Sequence, residues 1–259
     1  MPDAGVPPGK VFLIGAGPGA PDLLTLRAAR LLACADVVFH DALVHPETLA
    51  LASRAELIPV GKRCGKHSST QAFINARLVD AVQRYRVVVR LKGGDPMVFG
   101  RAQEEIDALA AAGYGVEVVP GVTAALAAAA DIGVSLTRRG MSRSLALVTP
   151  RIGDVEGESH WLACAAHADT VAIYMAREDA GAVSRALMDS GRPASTPVVI
   201  VVNASLATDS VQLGTTLGAL EQIAQSGMSG PALILIGDVF ADWVADALPA
   251  HLRPRASAG

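Results

Sequence analysis

The chain has 259 residues, of which 51% are hydrophobic and 18% charged, with a formal net charge of -3. This balance provides one large core or two ordinary ones and excludes a disordered chain, while the slight acidity argues against general affinity for nucleic acid or an anionic membrane. Three scattered cysteines without a CxxC pair and six histidines without HExxH spacing exclude a disulfide framework and a zinc site, which points to a reducing cytoplasm and no metal.

Residues 1–10 read as a loose tail without a basic-then-apolar leader, and no apolar run approaches the roughly 20 residues of a membrane span. Short β-branched runs then alternate with helical stretches. Strands are expected at Val11–Ala16, Asp36–Asp41, Glu56–Gly61, Arg86–Leu91 and Gly115–Val119. A second set is expected at Ser144–Thr149, Thr170–Met175, Thr196–Val202 and Ala232–Gly237. Runs such as VVVRL and PVVIVV are continuously apolar, as for strands covered on both faces. Ser68-Ser69-Thr70-Gln71 reads as a capping box opening a helix to about Tyr85, with Phe73, Ile74, Leu78 and Val82 on one face. The rhythm predicts an α/β protein with mostly parallel sheets and right-handed crossovers. The polar, Arg-rich stretch Thr137–Arg143 interrupts it. The expected division is therefore a first α/β domain over 11–138, a second over 139–248, and a tail over 249–259.

Open parallel sheets bind ligands outside the carboxyl ends of their strands. The first-half strands end in Gly15-Ala16-Gly17-Pro18-Gly19, His40-Asp41, Gly61-Lys62-Arg63-Cys64-Gly65-Lys66, Lys92-Gly93-Gly94-Asp95-Pro96 and Pro120-Gly121-Val122-Thr123-Ala124. Each end carries glycine, a charge or both, and five together suggest a ligand cleft. Singly, each has an ordinary use. Asp41 serves as a cap or loop carboxylate, Asp95 as the turn former of Gly-Asp-Pro, and Arg101, Arg138 and Arg139 as solvated charge. Gly15, Gly17 and Ala20 also fit the G-x-G-x-x-G/A dinucleotide fingerprint. Pro18 removes an amide that a pyrophosphate would need, so a tight turn admitting a ligand to the backbone fits better.

The segments GAGPGAPDLLTLRAARLL (Gly15–Leu32), ADVVFHDALV (Ala35–Val44), GKRCGKHSSTQ (Gly61–Gln71), VVVRLKGGDPMVFGRAQEE (Val87–Glu105) and VEVVPGVTAALAAAADIGVSLTRRG (Val116–Gly140) resemble the uroporphyrinogen-III C-methyltransferases of the tetrapyrrole methylase superfamily. The second half is similar more loosely, through AIYM (Ala172–Met175), VVNAS (Val201–Ser205) and GPALILIGDVF (Gly230–Phe240). Departures from the family pattern fall at Ala20, Ala102, Gln103, Arg138, Thr149-Pro150-Arg151 and Ala176.

The resemblance implies a homodimer of two unlike α/β domains, with S-adenosylmethionine in the cleft between them. Pro18, Gly93, Gly94, Asp95, Val98, Thr123, Ala124, Met175 and Ala204 would line the cofactor site, with Asp95 facing its cationic amino end. Uroporphyrinogen III would be methylated at ring positions 2 and 7 to give precorrin-2. Asp41 is then the base and Lys62 the acid, with Arg101 a second candidate for catalysis. Arg63, Arg101, Glu104, Arg138, Arg139 and Arg151 would hold the multiply carboxylated substrate. Two alternatives stand beside this reading, a sister methylase acting on a later precorrin and a dinucleotide-dependent oxidoreductase.

Overall fold

The structure is a computed structural model that describes residues 9–60, 71–150, 160–224 and 229–247. In chain order its elements are β1 (Lys10–Gly15), α1 (Leu26–Ala33), β2 (Val37–His40), α2 (Pro46–Ala50), β3 (Glu56–Pro59), α3 (Gln71–Arg84), β4 (Val87–Lys92), α4 (Ala102–Ala111) and β5 (Val116–Val119). They continue with α5 (Ala124–Ile132), β6 (Leu145–Val148), α6 (Trp161–His167), β7 (Thr170–Tyr174), α7 (Ala180–Asp189), β8 (Pro197–Val202), β9 (Val211–Thr216), α8 (Leu220–Ala224), β10 (Ala232–Ile236) and α9 (Ala241–Ala247). Every expected strand forms, within a residue or two of its expected ends.

The chain divides into two compact units, residues 1–123 and 124–259. The expected boundary lies later, at 138, because the Arg-rich stretch is the conspicuous break in the sequence. Hydrogen bonds decide otherwise. Helix α5 is tied into the second unit by the Ala125 amide, which donates to Tyr174 Oη at 3.1 Å, and by Asp131, which accepts the Ser205 amide at 2.7 Å.

The first unit holds one five-stranded sheet in the order β3-β2-β4-β1-β5, parallel throughout. Its continuously apolar strands bury both faces. On one face Phe12, Ile14, Val38, Val89, Leu91 and Val119 pack with Ala28 and Leu32 of α1. On the other, Val11, Val37, Phe39 and Val88 pack with Ile74, Leu78, Ala81 and Val82 of α3 and Leu109 of α4. A fully buried leucine such as Leu78 contributes about 1.5–3 kcal/mol by leaving water. Phe73 departs from the expected face: it is exposed, and Ala81 takes its place in the buried stripe. The capping box at Ser68 lies outside the described residues.

The second unit holds a mixed sheet in the order β6-β7-β10-β8-β9. Only β6 and β7 pair in parallel; β10 runs antiparallel to β7 and β8, and β9 antiparallel to β8. The expectation of a mostly parallel sheet therefore holds for the first unit alone. The cause is β9, which sequence patterning missed. Its residues VQLGTT are half-exposed and include a glycine, as an edge strand permits. It returns the chain beside β8, so that the next strand enters the sheet reversed.

One local device is used in both units. Asp36, just before β2, accepts the amides of Arg86 and Val87 at 3.0 and 2.8 Å and so fastens the start of β4. Asp169, just before β7, accepts the amides of Arg143 and Ser144 at 2.8 and 2.9 Å and fastens the approach to β6. The two aspartates stand in similar segments, Ala35-Asp36-Val37-Val38 and Ala168-Asp169-Thr170-Val171.

Candidate functional site

In the first unit the loops after β1, β4 and β5 interlock. Gly17 and Gly94 form a two-way backbone bridge, with N–H···O distances of 3.2 and 2.6 Å. A Cβ on Gly15 would stand 2.6 Å from the Gly121 backbone, and one on Gly121 would stand 2.3 Å from the Gly94 carbonyl oxygen. These two glycines are thus required by backbone against backbone. Gly93 and Gly94 differ. Their added Cβ atoms would meet nothing nearer than 3.5 Å and 4.0 Å, although Gly94 also needs its positive φ of 67°. They leave backbone open to close approach by a ligand.

Asp95 follows directly. Its Oδ1 accepts the Met97 amide at 2.8 Å and its Oδ2 the Gly121 amide at 2.9 Å, so the carboxylate both shapes its own turn and joins two strand-end loops. The Val98 amide closes the turn on the Asp95 carbonyl at 3.2 Å. The neighbour nearest the Gly94 Cβ direction is Thr123. Pro18, Gly93, Gly94, Asp95, Val98 and Thr123 therefore belong to one connected set of loops.

The dinucleotide fingerprint has no matching geometry. Ala20 leads into a single 3-10 turn (Pro21–Leu23), and α1 starts only at Leu26, where Thr25 caps it through the Ala28 amide. No long helix opens on the glycines to offer its amides to a pyrophosphate.

Asp41 directly follows β2 at the same, carboxyl-terminal edge of the sheet. Its Oδ1 accepts Arg90 Nη2 at 2.6 Å. Arg90 and Lys92 alternate with Val88 on the face of β4 that meets α3 and α4, and both are buried. Each donates to Glu105 Oε1, at 3.0 and 3.1 Å. Burial pushes the Lys92 ammonium below its ordinary pKa, Arg90 adds repulsion in the same direction, and Glu105 opposes both. Sequence patterning missed Arg90 and Glu105. The signal was present, since a charge within a continuously apolar strand must find a partner.

The described members of the expected substrate arginines stand in both units. Arg101 holds Glu104 in a two-pronged pair at 2.7 and 2.8 Å, and this pairing holds the Glu104 carboxyl below its ordinary range. Both side chains are about half-exposed. In the second unit Arg138 sits in an exposed tight turn with Gly140 and lies 3.6 Å from Asp242, while Arg139 is exposed beside it. Lys62, Arg63 and Arg151 lie outside the described residues.

In the second unit, Met175 and Ala204 follow the carboxyl ends of β7 and β8. The α5 anchors reach the end of β7 and the loop after β8: Ala125, next to Ala124, bonds Tyr174, and Asp131 bonds Ser205. Among the described residues the non-glycine positions with positive φ are Phe99, Arg101, Met175, Asn203 and Ser205. All five follow β4, β7 or β8. Backbone held in this region costs on the order of 1 kcal/mol or more and clusters where function fixes the geometry. Among the described residues there is no metal-binding cluster, and no helix is long and apolar enough to cross a membrane.

The chain matches the tetrapyrrole (corrin/porphyrin) methylases over residues 10–221. It is 46% identical over 234 residues to the siroheme synthase of Sodalis glossinidius, which covers 90% of this chain and 49% of that protein. The chain thus spans about half the length of the curated relatives it matches. Its fold is similar to the uroporphyrin-III C-methyltransferase of Thermus thermophilus complexed with S-adenosylhomocysteine, with a TM-score of 0.78, 37% identity, and coverage of 89% of this chain and 98% of that one. It is also similar to a cobalt precorrin-4 methyltransferase, with a TM-score of 0.79, 31% identity, and coverage of 91% and 99%. The resemblance carried by the glycine loops is borne out, and the chain belongs to the tetrapyrrole (corrin/porphyrin) methylase family.

Proposed function

We propose that the chain is an S-adenosylmethionine-dependent C-methyltransferase that converts uroporphyrinogen III to precorrin-2 by methylation at ring positions 2 and 7. The observation that carries this reading is the interlocked strand-end loops, which leave Gly93 and Gly94 open beside an ion-paired Asp41. Similarity to a uroporphyrin-III C-methyltransferase complexed with S-adenosylhomocysteine supports it. The small residues fit such a cofactor: Gly93 and Gly94 have no side chain to fill the space beside their backbone, and Ala204 has little.

When bound, S-adenosylmethionine supplies an electrophilic methyl group; the chain's residues align the reactants and manage the proton. Gly93, Gly94, Val98, Thr123, Ala124, Met175 and Ala204 hold the cofactor, with Pro18 shaping the neighbouring loop. Asp95 holds the loops in register, and a carboxylate with two amide partners retains lone pairs for a cationic amino group. Asp41 accepts the meso proton released after carbon methylation, and Lys62 acts as the acid. Arg63, Arg101, Arg138, Arg139 and Arg151 bind the substrate's carboxylates, and Glu104 orients Arg101 through their two-pronged pair.

Anaerobic incubation with uroporphyrinogen III and S-adenosylmethionine tests the reading. A product heavier by two CH2 units is expected, since each methyl gained is matched by a proton lost, and no methylation sinks it. A second reading is a sister enzyme acting on a later precorrin, favoured by the equally close fold of a cobalt precorrin-4 methyltransferase. It calls for methylation of that later substrate and none of uroporphyrinogen III. The working form is proposed to be a cytoplasmic homodimer, which sedimentation equilibrium and cell fractionation check.

A further inference from the structure

The charged network behind Asp41 has a direction. At its dry end lies Glu105 of α4, fully buried. Glu105 Oε1 accepts Arg90 Nε at 3.0 Å, Lys92 Nζ at 3.1 Å and Gln71 Nε2 at 3.1 Å. Its Oε2 is buried without a hydrogen-bond partner among the described residues. In the middle lies Arg90, whose side chain is 3% exposed. Its Nη1 donates to the Leu91 and Phe39 carbonyls at 3.1 and 3.5 Å, so all three guanidinium nitrogens are committed. At the wet end Nη2 grips Asp41, whose side chain is 30% exposed.

Such a network is a poor device for stability, because desolvating the ions offsets most of their attraction and apolar residues of similar volume commonly do as well. Here an apolar alternative lies two residues earlier, where Val88 packs on the same face of β4. A bulky cation clamped at four points is, by contrast, a good device for orientation. A guanidinium is a planar fork, so fixing Nε on Glu105 and Nη1 on two carbonyls fixes where Nη2 points. It points at Asp41.

We propose that Arg90 and Glu105 are positioning residues for Asp41: Glu105 and the strand carbonyls lock the guanidinium, and the guanidinium holds the Asp41 carboxylate in the orientation from which it takes a proton. This rests on the reading of Asp41 as the base. Misplacing a reacting group by about 1 Å can cost on the order of a hundredfold in rate, so loosening the clamp should lower kcat and spare binding.

The experiment uses the full chain and compares wild type, Arg90→Lys, Glu105→Gln, Asp41→Asn and the double variant Arg90→Lys/Asp41→Asn. Turnover is measured with uroporphyrinogen III, S-adenosylhomocysteine affinity by calorimetry, and folding by thermal melting. Arg90→Lys keeps the charge but loses the fork. Glu105→Gln keeps shape and volume but loses the charge. Each is expected to lower kcat at least about tenfold, with KM and S-adenosylhomocysteine affinity unchanged. The double variant should be no slower than Asp41→Asn alone, because a group acting through Asp41 has nothing left to orient.

Multiplied losses in the double variant, or wild-type kcat in Arg90→Lys and Glu105→Gln while Asp41→Asn is impaired, overturn the positioning role and leave the base assignment standing. Full turnover in Asp41→Asn overturns the base assignment and the proposal with it. An inactive wild type overturns the functional reading itself. Should Arg90→Lys not fold, Glu105→Gln carries the comparison. If neither folds, the network serves stability and the proposal fails.

Discussion

The Asp95 carboxylate accepts the Gly121 amide at 2.9 Å and so fastens the loop after β4 to the loop after β5. Its other oxygen holds the Met97 amide within the turn. Asp95→Ala is therefore expected to destabilise the free protein, since bonds to an ionised acceptor contribute about 1.5–3 kcal/mol. Denaturant unfolding without any cofactor reads this directly. An unchanged midpoint together with weaker S-adenosylhomocysteine binding would assign the carboxylate to a ligand alone.

The glycines separate into two classes by the same kind of measurement. Gly15→Ala and Gly121→Ala drive a methyl group into backbone at 2.6 and 2.3 Å and should cost about 1–3 kcal/mol of stability. Gly93→Ala has ordinary contact distances, so its unfolding midpoint should match wild type while S-adenosylhomocysteine affinity falls. A Gly93→Ala protein with wild-type affinity would remove that glycine from the cofactor site.

Asp41→Asn should leave S-adenosylhomocysteine binding intact and lower turnover roughly a hundredfold or more, as for a lost general base. Calorimetry and steady-state kinetics on one preparation make the comparison. Retained turnover would pass the base role to Arg101 or to a bound water.

Arg138 and Asp242 face each other at 3.6 Å on an exposed surface, where such a pair contributes little. Arg138→His should therefore melt as wild type does. If Arg138 also steers a multiply anionic substrate, the Michaelis constant rises, and more at low ionic strength than at high, because screening weakens the attraction that the variant has lost. Equal Michaelis constants at both ionic strengths would leave Arg138 as a surface partner of Asp242.

Asp169 supplies a pH test. The Arg143 amide first, then the Ser144 hydroxyl and amide, hold its carboxyl below the ordinary value of 3.8. A carboxyl depressed in the folded state adds stability above that ordinary value and loses it as pH falls through the folded one. Asp169→Asn should accordingly be less stable than wild type at neutral pH, with the difference closing below pH 3.8. A constant difference across an acid titration would mean that the amides do not depend on the charge.

The parts of the fold written in short-range pattern were legible in the sequence. Continuous apolar runs identified β4 and β8, because a strand covered on both faces has no polar side to show. The strand-end glycines marked the loops that interlock in the first unit, and the family resemblance proposes for residues such as Met175 and Ala204 a use that their own chemistry does not declare. Helix α3 was legible in its stripe Ile74, Leu78 and Val82. Phe73 lies off that stripe and is exposed, because the period is right for either neighbouring face and only the packing of β2 and β4 selects one.

What the tertiary structure decided depends on contacts between residues far apart in the chain. The strand β9 has weak patterning because an edge strand needs no buried faces, and its pairing with β8 reverses β10 and makes the second sheet mixed. Helix α5 joins the second unit through Tyr174 and Ser205, which no local signal around Thr123 announces. Arg90 and Glu105 are ordinary letters of a strand and a helix until the fold brings β4 beside β2 and Glu105 of α4 to Arg90 and Lys92. The sequence alone determined which residues could be buried and where the chain must turn, since these are local properties of side chains and backbone. Which charges meet inside, and therefore how Asp41 is held, was decided only when the β4–β2 register placed Arg90 between Glu105 and Asp41, where the expense of an unpaired buried charge leaves it no other arrangement.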